Sequence, residues 1–424
     1  MGAVGMAASL LLTCCGGAST ASGSTTTSSS GASTAPSPKG TVQVGLLAEF
    51  SGTRATLGPE KLQGMQLAAQ AIDKAGGCDG RTVAISEIDA PDPVDTTTSI
   101  DQALSSKSLS LIVGPDVNSY QTALPTLEKA KMVNFSYLGT PGEYTSQHWN
   151  YSFESVPSDA FDGAAMAYYA KVAGYKKVAV VLDATQGSED LLPSIEKMAK
   201  HDGTKIVTKS IIPESAPSYS GYIQKVIAAH PQAVLFQLST NALAGEWSSE
   251  WQQAGGTKIP LIGSTFTAAG AYIQAMGTFA VTHLVSAVAA LAANNKAGTA
   301  FLKKFTQQFH TTPPVYASHF YDALTVACLA MDQAKSTKPT VYAKDVTKVT
   351  SPGAGKTVVY TYAKGYQLIR QGKGIKYYGV SGPMTYNANH EVTAPYQIVK
   401  TDAKGSTTLV KNISATALAP GVAS

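Results

Sequence analysis

From residue 41 onward, the chain alternates short apolar runs with segments in which apolar residues recur every three or four positions. The apolar residues at 42–47 predict a β-strand. Leu62, Met65, Ala69 and Ile72 follow at helical spacing and predict a helix with one buried face. The first strand is therefore followed by a helix, and the same order repeats along the chain.

This alternation of strand and helix continues as far as residue 263. The further predicted strands cover residues 83–88, 109–113, 133–136, 178–182, 206–212, 233–238 and 260–263. The pattern restarts with a helix that begins near Phe161. Such an order is typical of parallel sheets covered by helices on both faces, so we expect an α/β protein with two doubly wound lobes. Ligands bind such lobes beyond the carboxyl ends of the strands.

The first 40 residues lack this pattern. Residues 1–13 form an uncharged apolar stretch that is too short to cross a bilayer and is typical of a signal peptide. Residues 16–40 are almost entirely Gly, Ala, Ser, Thr and Pro, which predicts a flexible tether. We therefore expect a signal peptide at 1–14 and a disordered tether at 15–40.

The run Leu12-Thr13-Cys14-Cys15-Gly16 resembles the bacterial lipobox, in which a cysteine thiol receives diacylglycerol. The resemblance implies that Cys15 is the lipidated residue. The alternative is an ordinary secretory peptide that is cleaved without lipidation.

Charge argues against a nucleic-acid partner. Lys and Arg number 32 against 28 Asp and Glu, and a net charge of +4 over 424 residues is far from the basic footprint of nucleic-acid-binding domains. Charged residues make up only 14% of the chain, below the roughly 25% typical of soluble domains. The tether, whose one charged residue is Lys39, accounts for part of this deficit.

The sequence contains little that indicates an enzyme active site. No two of the seven His residues have metal-ligand spacing, and neither C-x-x-C nor G-x-S-x-G occurs. Gly355-Lys356-Thr357 ends like a phosphate-binding loop, but Thr350 stands where that motif needs glycine. We therefore expect a protein without catalytic activity, cofactor or metal.

Several blocks together resemble the branched-chain amino acid binding proteins of bacterial ABC transporters. They cover residues 44–52, 71–81, 112–115, 155–159, 174–180, 321–323 and 381–386, in the order in which the family has them. The resemblance implies a type I periplasmic-binding fold, with two doubly wound, Rossmann-like lobes joined by three hinge crossovers. By analogy the crossovers lie near Pro157, His283 and Pro395. Lobe 1 would then contain 41–157 and 284–394, lobe 2 would contain 158–283 and 395–414, and 415–424 would be a tail.

The resemblance also implies ligand contacts in both lobes. Two loops of lobe 1 bind the ligand carboxylate in the family, and here they contain Asn118, Ser119, Leu138, Gly139 and Thr140. Where the family holds the ammonium group with an aromatic residue and a carboxylate, this chain has Thr240, Thr265 and Phe266. We therefore expect a carboxylate on an apolar or aromatic body. If an ammonium group is bound after all, the acids to consider first are Glu49, Glu143 and Glu246. For Ser119, capping of a helix is an equal and compatible interpretation.

Two cysteines remain in the folded body after processing. The family places both Cys78 and Cys328 in lobe 1, and free thiols are uncommon in exported proteins. A disulfide and two separately buried thiols are both open at this stage.

The function that the resemblance implies is that of an extracytoplasmic solute-binding lipoprotein of an ABC importer. Its expected partners are a small-molecule ligand, the ABC permease subunits and, through the lipid anchor, the membrane. We expect it on the outer face of the bacterial cytoplasmic membrane or in the periplasm. We expect a monomer. The alternative is a ligand-binding module of a sensor or receptor system, because the same fold serves both purposes.

Overall fold

Three β-sheets organise the part of the chain that the computed structural model describes, which comprises residues 39–105, 108–117, 119–136, 149–289, 296–314 and 316–422. The strands are β1 (Thr41–Ala48), β2 (Thr82–Asp89), β3 (Leu109–Val113), β4 (Asn134–Ser136), β5 (Ser152–Glu154), β6 (Lys177–Asp183), β7 (Lys205–Ile212), β8 (Ala233–Gln237), β9 (Leu261–Gly263), β10 (Leu284–Ala289), β11 (Thr357–Val359), β12 (Ile375–Tyr377), β13 (Tyr396–Thr401) and β14 (Thr407–Ile413). All seven strands predicted after the first have counterparts among them.

Helices connect most of these strands. They are α1 (Leu57–Lys74), α2 (Pro93–Ser105), α3 (Tyr120–Lys129), α4 (Asp159–Val172), α5 (Gln186–Glu189), α6 (Leu192–Asp202), α7 (Ser220–Ala228), α8 (Asn241–Gln253), α9 (Gly270–Met276), α10 (Thr278–His283), α11 (Lys296–Phe309), α12 (Ala317–Ala334), α13 (Pro339–Thr350), α14 (Tyr362–Arg370) and α15 (Ala415–Val422). No described helix is both long enough and apolar enough to span a membrane.

The first lobe is built on a parallel sheet with the strand order β2-β1-β3-β4-β5. Alternate residues of β1, from Val42 to Ala48, belong to a core shared with α1 and α12, while Leu47 packs on the opposite face. The helices α1 and α12 cross closely, since a Cβ on Gly64 would lie 2.0 Å from the carbonyl oxygen of Ala317. Glycine at this position therefore permits the contact.

The second lobe contains a seven-stranded sheet with the order β14-β13-β10-β9-β8-β6-β7. Its strands β6 to β10 are parallel, and β13 is antiparallel to both β10 and β14. Val178, Val180 and Leu182 of β6 face α4 and α6, whereas Ala179 and Val181 face the core formed with α7 to α9. Helices on both faces explain why β6 is apolar throughout.

The chain passes between the two lobes three times, after β5, after β10 and before β13. The predicted boundary at residue 283 was wrong, because β10 pairs with β9 and β13 in the second sheet. The apolar run Leu284–Ala289 fits a buried strand of either lobe, so the sequence pattern alone does not show to which lobe it belongs. The predicted tail also differs from the structure. Leu418 of α15 is buried in the lobe 2 core.

A disulfide joins Cys78, which follows α1, to Cys328 in the middle of α12. Their Cα atoms lie 5.1 Å apart, within the range that disulfides adopt. Both cysteines are fully buried in the lobe 1 core. The bond therefore links the first helix of lobe 1 to a helix that enters the same lobe 250 residues later.

Candidate ligand-binding site

A cavity of about 1690 Å³ lies between the lobes and is lined by residues from both. Lobe 1 contributes Arg54, from the turn after β1, and Leu57, from the first turn of α1. Lobe 2 contributes loops that follow β7, β8 and β9. These loops leave the carboxyl ends of parallel strands, which is where the sequence pattern predicted ligand binding.

Three of the predicted ligand contacts, Thr240, Thr265 and Phe266, line this cavity. Thr240 also caps α8, because its hydroxyl oxygen accepts a hydrogen bond of 3.1 Å from the Leu243 amide. Phe266 packs its ring edge-on against Tyr272, with the ring centroids 5.6 Å apart. The loop after β9 therefore presents an aromatic face that is held in place from behind.

Ser119 has a different environment. Its side chain is buried and accepts a hydrogen bond of 3.0 Å from the Thr96 hydroxyl, and Ser119 is not among the described residues that line the cavity. Its side chain makes no capping hydrogen bond to α3 either. The other predicted positions lie outside the described residues. These are Cys15, Asn118, Leu138, Gly139, Thr140 and Glu143.

An ion pair connects the two lobes at the cavity. Arg54 Nη2 donates to Glu214 Oε2, in the loop after β7, over 3.1 Å. The Arg54 side chain is only 12% exposed, and its Nε has no hydrogen-bond partner among the described residues. A largely desolvated guanidinium with spare donors is a strong partner for a carboxylate. Sequence reasoning missed Arg54, because a single arginine in a Gly-rich turn carries no motif.

Carboxyl groups line the cavity as well. Glu60 and Glu246 face it from α1 and α8, and burial raises the pKa of Glu60. Behind Thr265, Asp162 Oδ2 accepts a 2.8 Å hydrogen bond from the Thr265 amide, while its Oδ1 has no partner among the described residues. Burial raises the pKa of Asp162 to about 7. Acids are thus available to a ligand ammonium, although none occupies the loop position that the family uses.

A buried ion cluster supports the lobe 1 side of the site. Lys61 of α1 donates from Nζ to Glu49 Oε2 over 2.8 Å and also to Asp116 Oδ2, and all three side chains are almost fully buried. Burial lowers the pKa of Lys61, but the two carboxylates outweigh it and raise the pKa above its ordinary value. Of these three residues, only Lys61 could have been singled out from the sequence. Lys61 lies on the same helical face as Met65 and Ala68, where a charge is unexpected.

A small chamber of about 40 Å³ adjoins this cluster between the lobes. Asp116, Asp159, Asp162 and Gln237 are among the residues that line it. Burial raises the pKa of Asp159, and the nearby carboxylates Asp190, Asp162 and Asp116 raise it further. The chamber is therefore an acidic pocket next to the main cavity.

The described residues include no group of His, Cys, Asp or Glu that could hold a metal ion. His319 lines the cavity, but its Nδ1 donates to the Ser155 carbonyl over 3.1 Å and burial lowers its pKa to about 4. Lys356, from the phosphate-loop-like run, donates to the Ser351 carbonyl over 3.0 Å. The cavity is thus lined by polar and charged side chains from both lobes.

Comparison with known proteins agrees with this geometry. A sequence profile described as periplasmic binding protein matches residues 41–406. No curated protein sequence gives a significant match. Among solved structures, the leucine-binding protein LivK from Thermotoga maritima shares 18% identity at a TM-score of 0.73, over 88% of this chain and 99% of that chain.

Two further structures share the fold. LivJ from Streptococcus pneumoniae, solved with isoleucine, has 19% identity and a TM-score of 0.71, over 88% of this chain and 99% of that chain. A solute-binding protein from R. palustris, solved with benzoate, has 17% identity and a TM-score of 0.71, over 88% of this chain and 96% of that chain. The type I periplasmic-binding fold is confirmed. Since the family profile spans most of the sequence, this protein belongs to the periplasmic binding protein family.

Proposed function

We propose that this protein is the extracytoplasmic solute-binding component of an ABC importer and captures a small carboxylate-bearing ligand between two closing lobes. The observation that carries the proposal is the cavity itself. It is lined by both lobes, and the largely buried side chain of Arg54 is part of that lining. A ligand that contacts both walls stabilises the closed arrangement and is then delivered to a permease.

The ligand we propose is an amino acid or a related apolar or aromatic acid. Arg54 supplies a bidentate partner for a carboxylate, and Leu57 and Phe266 supply apolar surface on either side. Structures of the same fold were solved with isoleucine and with benzoate, which both fit this description. For an ammonium group, Glu60 and Glu246 are available in the cavity and Asp162 in the adjoining chamber.

The predicted contacts remain part of this proposal. Thr265 and Phe266 would contact the ligand body, and Thr240 would contact it beside its capping role. Asn118, Leu138, Gly139 and Thr140 are proposed as the lobe 1 contacts to the carboxylate, with Arg54 added to them. Ser119 is left out, because its buried hydroxyl pairs with Thr96 and does not line the cavity.

Anchoring through lipid on Cys15, a monomeric state and docking to ABC permease subunits complete the proposal. The apolar stretch at 1–13 and the Gly-, Ala-, Ser-, Thr- and Pro-rich tether support it, because a lipid followed by a flexible tether is the layout of a protein that works just outside a membrane. In a lipoprotein-competent bacterium the protein should be membrane-associated, and Cys15→Ala should release it. Association that persists in this variant would contradict the lipid anchor.

Calorimetry tests the ligand proposal directly. The panel would hold branched-chain amino acids, their 2-oxo analogues and aromatic acids. Arg54→Ala should weaken binding by about 1.5–3 kcal/mol, roughly tenfold to a hundredfold, because a hydrogen bond between charged groups is lost. Arg54→Lys is the matched variant that keeps the charge and should lose less. Unchanged affinity in Arg54→Ala would remove Arg54 from the site.

A further inference from the structure

Carboxyl groups from both lobes line the small chamber that adjoins the main cavity. Asp116 comes from the loop after β3 of lobe 1, whereas Asp159 and Asp162 come from the first turn of α4 in lobe 2. Asp190, which follows α5, lies close enough to raise the pKa of Asp159. The chamber therefore brings the negative charges of one lobe up against those of the other.

The two lobes pack tightly around this chamber. Val117 of lobe 1 and Gly187 of α5 both line it, and a Cβ on Gly187 would lie 2.8 Å from Val117 Cγ1. Tyr120 of α3 donates from Oη to Asp190 Oδ2 over 3.3 Å. Each of these contacts joins lobe 1 to lobe 2. Opening of the cleft would therefore admit water to the chamber and move Asp116 away from the lobe 2 carboxyl groups.

The cations at the chamber are already engaged. Lys61 lies between Glu49 and Asp116, so one positive charge serves two carboxylates. Arg54 also lines the chamber, but it forms an ion pair with Glu214. These two cations therefore leave no positive charge over for lobe 2.

The carboxyl groups on the lobe 2 side lack a cationic partner among the described residues. Asp159 forms no hydrogen bond or ion pair with any of them. Asp162 is only 4% exposed, and its Oδ1 has no hydrogen-bond partner there. Asp159 is also the first residue of α4, whose free amides favour its charged form. Burial and the neighbouring carboxylates outweigh this effect and raise the pKa of Asp159 well above its ordinary value.

The other titratable groups near Asp159 bring no positive charge. Tyr316 lines the chamber, Tyr396 begins β13 and Glu154 ends β5. Burial raises the pKa of Tyr396, and the carboxylates Asp162 and Asp159 raise it further, so that its hydroxyl stays neutral. A proton is therefore the simplest way to neutralise Asp159 when the lobes meet.

We propose that closure of the two lobes takes up a proton at Asp159, so that acidic conditions favour the closed cleft. The inference goes beyond solute binding and shares with it only the closing movement. In the open cleft, water solvates the Asp159 carboxylate and Asp116 no longer repels it. Because the closed form binds the proton more tightly, closure is most favourable at low pH and weakens as the pH rises above the ordinary carboxyl range. In that range, the equilibrium constant for closure falls by up to about tenfold per pH unit.

Small-angle X-ray scattering of the full-length protein at pH 5 and pH 8 tests this coupling. The radius of gyration should be smaller at pH 5, because more molecules are closed. The tether contributes equally at both values, since its one charged residue, Lys39, stays protonated. Asp159→Asn replaces the carboxyl group with a neutral amide and should be compact at both pH values. A wild-type radius that is the same at pH 5 and pH 8, or a pH effect that persists in full in Asp159→Asn, would overturn the inference.

Two further variants serve as controls. Gly187→Trp places a bulky side chain against Val117 and should hold the lobes apart, with a large radius at both pH values. A change with pH that persists in Gly187→Trp would show that lobe closure is not its cause and would contradict the proposal. Asp332→Asn removes a buried carboxyl group with a pKa raised to about 7, which lies outside both cavity linings. It should keep the wild-type change of radius.

Calorimetry with leucine and benzoate at both pH values separates this inference from the proposed function. Whichever of the two acids binds should bind at least tenfold more tightly at pH 5 than at pH 8. Equal affinity at the two values would overturn the coupling and leave the solute-binding function intact. If the radius changes as expected but no acid binds, the proposed function fails and the coupling stands.

Discussion

The two walls of the cleft hold their buried charges in different ways. On the lobe 1 wall, Lys61 lies between Glu49 and Asp116, and each carboxylate has a cationic partner. On the lobe 2 wall, Asp162 has a backbone amide as its partner, and its second oxygen has no partner among the described residues. Lobe 1 also contains the disulfide, whereas no cysteine lies between 79 and 327. The buried cluster of lobe 1 is therefore the fixed wall, in which each charge is compensated, whereas Asp162 makes lobe 2 the responsive wall, in which a buried carboxyl group can change its protonation.

The largest expected effect comes from disrupting the buried ion cluster of the fixed wall. Lys61→Met would leave two carboxylates buried without a cation, which should lower the free energy of unfolding by about 3–5 kcal/mol. Lys74→Met, at the exposed end of the same helix, is the control and should change it by less than about 0.5 kcal/mol. Urea denaturation measures both. Equal stability of the two variants would show that the cluster does not hold lobe 1 together.

Removal of the disulfide should have the next largest effect. The double variant Cys78→Ala and Cys328→Ala should lose about 2–5 kcal/mol, because the bond constrains a long segment of the unfolded chain. Alkylation of unreduced, denatured mature protein should find neither thiol reactive. Two alkylated thiols would establish the separate-thiol alternative and leave the ion cluster as the main restraint on lobe 1.

The smallest effect concerns the responsive wall. The pKa of Asp162 rises on folding from 3.8 to about 7, so the folded state binds the proton more tightly than the unfolded state. Asp162 therefore adds to the free energy of unfolding at low pH, and this contribution is lost as the pH rises from about 4 to 7. Between pH 5 and pH 8, Asp162 should lower the free energy of unfolding of the wild-type protein by about 1–3 kcal/mol. Asp162→Asn should not show this decrease. An identical pH dependence in the variant would show that Asp162 does not titrate in this range.

The fold was largely predictable because its signals are local. Apolar runs such as Val178–Leu182 and helical faces such as that of Met65 and Ile72 depend on neighbours in sequence. The boundary at β10 was not predictable in this way. Its apolar residues fit either lobe, and only pairing with Leu261 and Ile262 assigns it to the second sheet.

The site was predicted only in part, because its contacts join distant residues. Arg54 and Glu214 lie 160 positions apart, and Lys61 and Asp116 lie 55 apart. The family pattern supplied Thr240, Thr265 and Phe266, which do line the cavity. It did not supply Arg54 or Asp162, because both lie just outside the blocks that carry the resemblance, 44–52 and 155–159.

Native mass spectrometry of freshly purified protein tests the capture of a solute at Arg54 most directly. The wild-type protein should carry one bound acid whose mass disappears on denaturation, and Arg54→Ala, purified in parallel, should carry little of it. A wild-type protein without ligand that also gives no heat with any acid of the calorimetry panel, or an Arg54→Ala variant that retains the ligand fully, would contradict this mode of capture.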